Sequence, residues 1–398
     1  MKTIIPKFIL ILIFISASCT KKEKELKPKE EIEPYVEFLK NENTSAKDYI
    51  INLFEKKDVV IIGERFHPEL TQYELVLDIS KDPRFIEKVG NIFIEVCGRN
   101  QEKNIDILLK SNNLSNKKIE ELVLEINRNS SIHPLWNNLN FSYFLKGLYK
   151  INDRLNDNQK INLYPSDVGL DWKKMDSAKY NKFWKSLVYR DKKMADYIIN
   201  KFDSINLNTS SRKKALVIMN YRHAFGNKFM YPDNEKPNNV GRFLFEKYPK
   251  RVANVLLNTL TFGSDNEKDI IAISDGKWDA SFKVLKKDNI GFDFKNSPFG
   301  NDYFDLWPFT VHKFNYSDVF NGFVFYKPIE KFKMIEGVKN IVDSSFLPEL
   351  KRRYKIANKV RGRNYSLTDS IIFKINKEKV NYKFLNDSIR FHINKWIK

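Results

Sequence analysis

The sequence has few cysteines and no long apolar segment. Only two of its 398 residues are cysteine, Cys19 and Cys97, which is too few for a disulfide scaffold. Cys97 has no histidine near it in the sequence and is expected to be a buried, unreactive thiol. Residues 8–15 form a short apolar run, whereas a membrane-spanning helix needs about 20 residues, and no second run is long enough. No G-x-S-x-G motif occurs, which argues against a serine-hydrolase mechanism.

The overall composition is that of a globular protein. Hydrophobic residues make up 42% and charged residues 30% of the chain, which provides enough apolar material for a sizeable core and excludes disorder for most of it. The formal net charge is +19, but neither a zinc-finger spacing nor an RNP-like aromatic motif accompanies it. Because lysine-rich surfaces are more often simply solvated, no nucleic-acid partner is expected.

The N-terminus has the pattern of an export signal. Residues 1–18 combine two lysines, the apolar run and a stretch of small residues that ends directly before Cys19. This stretch resembles the lipobox of bacterial lipoproteins, which implies cleavage before Cys19 and lipidation of that residue. The prediction is a protein anchored to a lipid membrane of the bacterial cell envelope, with the outer membrane favoured; a plain secreted protein is the alternative. Residues 19–33 predict a flexible, charged tether.

Short apolar runs alternate with helical patterns along the rest of the chain. Continuous runs are typical of strands that are covered on both faces, so the alternation predicts an α/β domain over residues 34–328, with a mostly parallel central sheet flanked by helices. The predicted strands are 59–62, 92–94, 161–164, 215–219, 252–257, 270–273 and 323–325. The predicted helices are 68–80, 101–111, 116–128, 141–156, 176–202 and 239–248.

Three regions depart from this alternation. Residues 112–158 predict a helical insertion over one end of the sheet, and residues 275–321 predict a long ordered loop. Residues 329–398 are basic and predict a C-terminal accessory region, with a helix at 347–362 and strand-like alternation at 371–375. The basic excess is interpreted as a solvated surface, and contact with anionic lipid headgroups is the alternative.

Side chains capable of catalysis or metal binding collect where the predicted strands end. Glu64 and His67 follow the first strand, Glu95 ends the second, and His223 follows the fourth. Because ligands of parallel sheets bind outside the carboxyl ends of the strands, we expect these four side chains to meet in one cleft. They suit either a divalent metal that activates water or a histidine general base held by a carboxylate. Helix capping and mutual pairing are the structural alternative.

Arg190 interrupts the apolar row of the helix predicted over 176–202. An arginine on a core-facing row is costly unless it is paired or reaches into a cleft. Asp191 is a candidate partner, and an arginine that extends its charged end to solvent is the alternative. Asp167, after the third strand, either lines the same cleft or caps a helix.

Several short motifs follow one another in a recognisable order. They are Gly63-Glu64 and His67 with Glu69 and Gln72, Glu95 at a strand end, Arg190-Asp191 before Met194, Asn220-Tyr221-Arg222-His223, and a closing segment at 318–325. This order resembles the erythromycin-esterase-like superfamily, which includes ChaN-type haem-uptake proteins, TIKI proteases and TraB proteins. The resemblance covers about residues 55–328, although Pro68 stands where the esterases usually have glycine. It implies a mixed α/β sheet and a site of Glu64, His67, Glu95, Arg190 and His223.

Activities within that superfamily are diverse, so three hypotheses follow. The first is a membrane-anchored hydrolase of a small-molecule or peptide substrate, in which His67 is general base or metal ligand and Arg190 binds an anionic group or the oxyanion. In it, Glu64, Glu95 and His223 orient the base or complete a metal site. The second is a lipoprotein that binds iron or non-covalent haem. The third is a non-catalytic lipoprotein, for which the aromatic residues of 292–310 are a candidate binding surface unless they pack inside.

Overall fold

The structure is a computed structural model. It describes residues 26–136, 139–209, 212–226, 238–263, 266–306, 314–381 and 386–398. The predicted signal peptide and Cys19 lie outside these residues. No helix in the described part of the chain combines the length and apolar character needed to cross a membrane.

A seven-stranded, mostly parallel sheet forms the centre of the fold, as the sequence predicts. Its order is β3-β2-β4-β1-β5-β9-β8, and all pairs are parallel except β8 with β9 at one edge. The strands are β1 Val59–Glu64, β2 Asn91–Gly98, β3 Asn162–Asp167, β4 Ala215–Asn220, β5 Val252–Leu257, β8 Asn289–Asp293 and β9 Gly322–Tyr326. Two small antiparallel sheets lie outside it, formed by β6 Leu260–Gly263 with β7 Asn266–Ala272 and by β10 Met334–Glu336 with β11 Lys379–Asn381. The run at 270–273 therefore belongs to a separate hairpin and not to the main sheet.

Helices cover both faces of the central sheet. Successive strand residues alternate between two cores, with Ile61 and Val217 in one and Ile62 and Ile218 in the other, which explains the continuous apolar runs. The helices before the insertion are α1 Glu33–Asn41, α2 Ala46–Leu53, α3 Thr71–Ser80, α4 Pro83–Lys88 and α5 Glu102–Lys110. The remaining helices are α6 Asn116–Asn129, α7 Leu139–Asn152, α8 Ser177–Lys185, α9 Arg190–Leu207, α10 Val240–Lys247, α11 Lys277–Leu285, α12 Pro298–Asn301, α13 Tyr316–Val319, α14 Leu347–Arg361, α15 Asp369–Asn376 and α16 Asp387–Asn394.

The helix predicted over 176–202 is two helices. A 3-10 turn, Ser186–Tyr189, separates α8 from α9. Ser186 Oγ donates to the Phe183 carbonyl at 2.7 Å, the type of local side-chain bond that competes with a regular helix. The interruption places Arg190 at the first position of α9 rather than in the middle of a long helix.

The tether predicted over 19–33 is wrong for residues 28–33. Pro28 forms an isolated bridge with Ile397, and the Lys29 amide donates to the Trp396 carbonyl at 3.0 Å. A 3-10 turn follows at Glu30–Ile32, and Ile32 is fully buried. The chain is therefore anchored against its own C-terminal end before α1 begins. Residues 19–25 lie outside the described part.

The expectation of a long loop at 275–321 is also wrong, because α11, β8, α12 and α13 lie within it. The candidate aromatic surface at 292–310 is mostly core. Tyr303 is exposed, and Trp307 lies outside the described residues. Phe292, Phe294 and Phe299 are buried and pack on Trp278 or Phe323, and Phe304 is buried against Tyr316.

The C-terminal region packs against two parts of the protein. Ile389 and Ile393 of α16 belong to one of the main cores, so this end is not a separate unit. A smaller core, which includes Ile341 and Leu350, has Leu124 of the helical insertion against it. The helix predicted at 347–362 is confirmed as α14, whereas the predicted alternation at 371–375 is helix α15.

Candidate active site

The first strand end positions Glu64 and His67. Glu64 is the last residue of β1 and is buried. The chain then turns so that His67 Nδ1 forms a short hydrogen bond with Glu64 Oε1. Gln72 holds this turn, since its Oε1 accepts from the Arg65 amide at 2.8 Å and its Nε2 donates to the Phe66 carbonyl at 3.0 Å. Tyr73 donates its hydroxyl to Glu64 Oε2 at 3.1 Å, which fixes the second carboxylate oxygen.

Arg65 and Glu69 form a buried ion pair behind this turn. Arg65 Nη1 lies 2.9 Å from Glu69 Oε2, and both side chains are fully buried. Glu69 also accepts from the backbone amides of Thr71 and Gln72 at 2.8 and 3.0 Å, which caps the start of α3. Glu69, which belongs to the first sequence motif, therefore supports the turn and does not contact His67. Its partner Arg65 was not singled out from the sequence.

Glu95 is the centre of the site. It lies on β2, and its Oε2 accepts from the Asn220 amide at the end of β4 at 2.8 Å. Its Oε1 accepts from Arg190 Nη2 at 2.9 Å and lies 3.2 Å from His223 Nε2. The carboxylate thus connects a strand end, a helix start and the turn after β4.

His223 and Arg190 contact Glu95 Oε1 and are each held by a second carboxylate. His223 lies in the 3-10 turn Tyr221–His223, and its Nδ1 is 2.7 Å from Asp191 Oδ2. Arg190 Nε donates to Asp167 Oδ1 at 2.7 Å, at the end of β3. Arg190 is therefore paired inside the cleft, and the alternative of a solvent-directed arginine is wrong. Asp167 and Asp191 both take part in the network.

The predicted convergence of Glu64, His67, Glu95, Arg190 and His223 is what the structure has. His67 Nε2 lies 3.8 Å and His223 Nε2 3.2 Å from the same oxygen, Glu95 Oε1, so the two carboxylate–histidine pairs meet at Glu95. The side chain of His67 is 23% exposed, while those of Glu64 and Glu95 are almost fully buried. His67 is therefore the accessible member of the Glu64–His67 pair.

Burial is the largest single influence on the pKa of each of these groups, but the neighbouring charges together outweigh it for Glu95, His67 and His223. Burial raises the pKa of Glu64 despite the histidine beside it. For Glu95 the opposing charges of His223, His67 and Arg190 outweigh burial and hold its pKa well below the usual range. Burial would lower the pKa of both histidines, but the adjacent carboxylates raise it, for His223 to about 10. His223 is then an imidazolium at neutral pH and Glu95 is ionised.

Glu64, His67 and Glu95 are also the candidate metal ligands among the described residues. One ligand atom from each lies within 4.8 Å of the other two. Oxygen and imidazole donors suit a divalent cation, but both oxygens of Glu95 already accept hydrogen bonds. A cation here would lie beside Arg190 and His223, which both contact Glu95 Oε1, so their positive charges would oppose its binding. His223 is not part of this candidate metal group.

The helical insertion contributes one residue that the sequence reasoning missed. The rings of Trp136 and His67 meet edge to face, with centroids 5.2 Å apart. No signal pointed to Trp136, because the contact depends on how the insertion folds over the strand ends. Cys97 is buried, and burial raises its thiol pKa well above the usual value, which confirms the expected unreactive cysteine. His392 pairs with Asp275 at a separate place, and His312 lies outside the described residues.

No family model and no curated protein matches the chain. Solved structures similar to it include a variant of the erythromycin esterase EreC in its open conformation, with 11% identity, 75% of this chain and 96% of that chain covered, and a TM-score of 0.44. They also include a Bacillus cereus protein, with 12% identity, 75% and 94% coverage and a TM-score of 0.43. ChaN of Campylobacter jejuni, described with cofacial haem binding, has 14% identity, 55% and 88% coverage and a TM-score of 0.33. An erythromycin esterase and a ChaN protein, the two kinds of fold that the motif order resembles, are thus among the similar structures. The low identities and TM-scores give no information about activity.

Proposed function

We propose that the protein is a hydrolase in which His67 activates water for cleavage of an ester or peptide bond. The observation that carries the proposal is the pair of His67 and Glu64, with Glu64 held in turn by Tyr73. A carboxylate on Nδ1 fixes the tautomer that presents Nε2 as the base. Nε2 makes no hydrogen bond with a described residue, since its nearest carboxylate oxygen is 3.8 Å away.

The other half of the site supplies positive charge. Arg190 and His223 lie together beside Glu95, with 3.4 Å between Arg190 Nη1 and His223 Nε2. Their role in the proposal is to bind an anionic group of the substrate or to stabilise the oxyanion that forms when water attacks. Three carboxylates hold these cations in place, namely Glu95, Asp167 and Asp191. Little reorganisation of the cations is therefore needed during the reaction.

A metal-dependent variant of this hydrolase uses Glu64, His67 and Glu95 as ligands. A divalent cation held there would lower the pKa of a bound water. The residues fit such an ion in their donor types, and Tyr73 would orient Glu64 as a ligand. We favour the histidine base, because the positive charges of Arg190 and His223 at Glu95 oppose a second cation beside it.

Haem or iron binding on the same fold is the second candidate, and a non-catalytic binding protein is the third. For haem, the two imidazoles are the available ligands. Both of them already have a carboxylate at Nδ1, and both Nε2 atoms face Glu95 Oε1. A carboxylate at Nδ1 is compatible with axial ligation, but His223 Nε2 is already 3.2 Å from Glu95 Oε1, which leaves His67 as the one imidazole of this pair with an available Nε2.

We propose that the protein acts in the bacterial cell envelope, attached to a membrane, with the outer membrane favoured, through lipid on Cys19. The support is the sequence pattern of residues 1–18 alone. Mass spectrometry of the mature N-terminus tests it, because lipidated Cys19 has a defined added mass. Substitution of Cys19 by alanine should release the protein from the membrane fraction. A mature chain that begins at another residue and carries no lipid would contradict the proposed lipid anchor.

The hydrolase proposal is tested on a panel of esters and peptides with the purified chain. His67→Ala should lower the rate by about 10²–10⁴-fold, the usual contribution of a general base. The matched control is His392→Ala, which removes a histidine that pairs with Asp275 away from the site and should leave the rate unchanged. Unchanged activity in His67→Ala would refute the assignment. If the panel yields no activity, titration with haemin tests the second candidate, since a Soret band would support it.

A further inference from the structure

Two adjoining grooves lie along α14 and the loop that follows it. Their volumes are about 690 and 440 Å³. They share part of their lining, namely Tyr354, Asn358, Arg363 and Tyr365, so they form one continuous depression, here called the basic groove. It is separate from the cleft of His67 and Glu95.

The charge of the basic groove has one sign. Lys351, Lys355 and Lys359 stand four residues apart on α14, hence on one face of the helix, and all three are exposed. Arg361 and Arg363 add two more cations, and no aspartate or glutamate lines either part of the groove. None of these five side chains forms an ion pair with a carboxylate of the described residues.

The opposite face of α14 behaves differently. Arg352 and Arg353 both pair with Glu349, at 2.6 and 2.8 Å, and Arg353 is buried. Glu349 therefore pairs with both cations on the packed side, whereas the outward row of lysines has no carboxylate partner among the described residues. Since like charges this close repel one another, an unpaired row is a surface that an anionic ligand would stabilise.

An aromatic platform lies among these cations. The rings of Tyr354 and Tyr365 stack with centroids 4.6 Å apart and 23° between their planes. Tyr365 is 41% exposed, and its carbonyl accepts from Asn358 Nδ2 at 2.7 Å, which fixes the loop against the helix. A fixed, exposed aromatic ring between cations offers a flat apolar face as well as charge.

The basic groove reaches the element that borders the candidate active site. His133 and Leu135 of the insertion line its inner part, and Trp136 directly after them packs on His67. Arg353 holds α14 to the same insertion, since its Nη2 donates to Asn129 Oδ1 at 2.7 Å. A polymer that lay along the groove and continued past His133 would approach the cleft of His67.

We propose that the basic groove binds an acidic polysaccharide, whose carboxylate or sulfate groups contact the lysine row while a sugar ring covers Tyr365. A concave groove suits a single chain better than the flat surface of a bilayer. Binders of single-stranded nucleic acid stack successive bases on successive aromatic rings, whereas this groove has one stacked pair. The proposal is independent of catalysis at His67.

The test measures binding of fluorescently labelled polygalacturonate and of a heparin oligosaccharide to the full chain by anisotropy. Replacing the lysine row, as the triple variant Lys351→Ser, Lys355→Ser and Lys359→Ser, should weaken binding by about tenfold or more and reduce its salt dependence, because fewer counterions are exchanged. The control triple variant has the same change in charge on exposed lysines outside the groove: Lys88→Ser, Lys103→Ser and Lys117→Ser. It should bind nearly as the parent does. Tyr365→Ala should weaken binding too, and dextran, which is neutral, should not bind.

Four outcomes would overturn the proposal. Equal weakening in both triple variants would mean that net charge alone acts. Tighter binding of phosphatidylglycerol vesicles than of either polysaccharide, with the same dependence on the lysine row, would assign the groove to a membrane surface. Tighter binding of a single-stranded oligonucleotide would assign it to nucleic acid. Failure of the folded parent chain to bind either polysaccharide would refute the proposal. A thermal melt of each variant checks that it is folded, and catalytic assays of the variants are not needed for any of these readings.

Discussion

Arg190 and Glu95 form a buried ion pair, with 2.9 Å between Arg190 Nη2 and Glu95 Oε1. The arginine begins helix α9 and the glutamate lies on β2, so the pair joins a helix to the sheet at the centre of the candidate site. Asp167 shares the same guanidinium through Nε. Arg190 therefore pairs with two buried carboxylates, and its charge adds to those of His223 and His67 at Glu95. Any change at Arg190 affects both the fold and the site.

Arg190→Ala should lower the free energy of unfolding by about 3–5 kcal/mol, because it leaves Glu95 and Asp167 buried with less compensating charge. Urea unfolding measures the change. Lys192→Ala is a matched control on the same helix, since Lys192 pairs with Asp196 where both side chains are about half exposed. That exposed pair should contribute about 1 kcal/mol or less. Equal losses in the two variants would contradict the role given to Arg190.

Tyr73→Phe should reduce turnover while leaving the fold largely intact. The substitution keeps the ring against Phe144 and removes only the hydroxyl that donates to Glu64, at a cost of about 1–3 kcal/mol because a buried carboxylate oxygen loses its donor. A less fixed Glu64 orients His67 less well, so kcat should fall with little change in KM. Tyr248→Phe is the control, because it removes a buried hydroxyl that donates to Asp203 away from the site. Loss of stability in both variants without a fall in kcat in Tyr73→Phe would refute the positioning role.

Treatment with a chelator separates the two mechanisms of the proposed hydrolase. If His67 is the base, dialysis against a chelator should leave activity and thermal midpoint unchanged, because side chains of the protein itself, Arg190, His223 and His67, balance the charges of Glu64 and Glu95. Activity that is lost on dialysis and restored by a divalent cation would instead assign Glu64, His67 and Glu95 as ligands. Metal content measured before and after dialysis accompanies the assay.

The site could be predicted from the sequence to the extent that it lies at strand ends. Glu64, Glu95 and the turn with His223 follow apolar runs, and a parallel sheet brings such ends to one edge whatever the loops do. Trp136 could not be found in this way, because its position depends on how an insertion of helices packs. The pairing of Arg190 with Asp167 likewise depends on the break between α8 and α9, which a local serine contact decides. The wrong expectations at 28–33 and 275–321 have the same cause. The local sequence pattern of these segments is weak, and contacts with distant parts of the chain determine their structure.

Asp279 gives a prediction for stability against pH outside the site. It is buried on α11, and its Oδ1 has no hydrogen-bond partner among the described residues. Burial, aided by the charge of Glu330 and opposed by Arg65, raises its pKa to about 7. In the unfolded chain an aspartate has a pKa of about 4. As pH rises from about 4, the unfolded state therefore loses this proton first and is favoured, and the loss of stability is complete above about pH 7.

Asp279→Asn removes this titration and keeps the shape of the side chain. The variant and the parent should have similar free energies of unfolding at about pH 3, where the Asp279 side chain is neutral in both the folded and the unfolded parent. Between about pH 4 and 7 the variant should become the more stable of the two, by up to about 1.4 kcal/mol for each pH unit. Urea unfolding of both proteins at several pH values measures the difference, in which contributions from all other groups cancel. A difference that stays constant across this range would show that Asp279 is ionised in the folded protein, and its buried carboxylate would then need a cation partner.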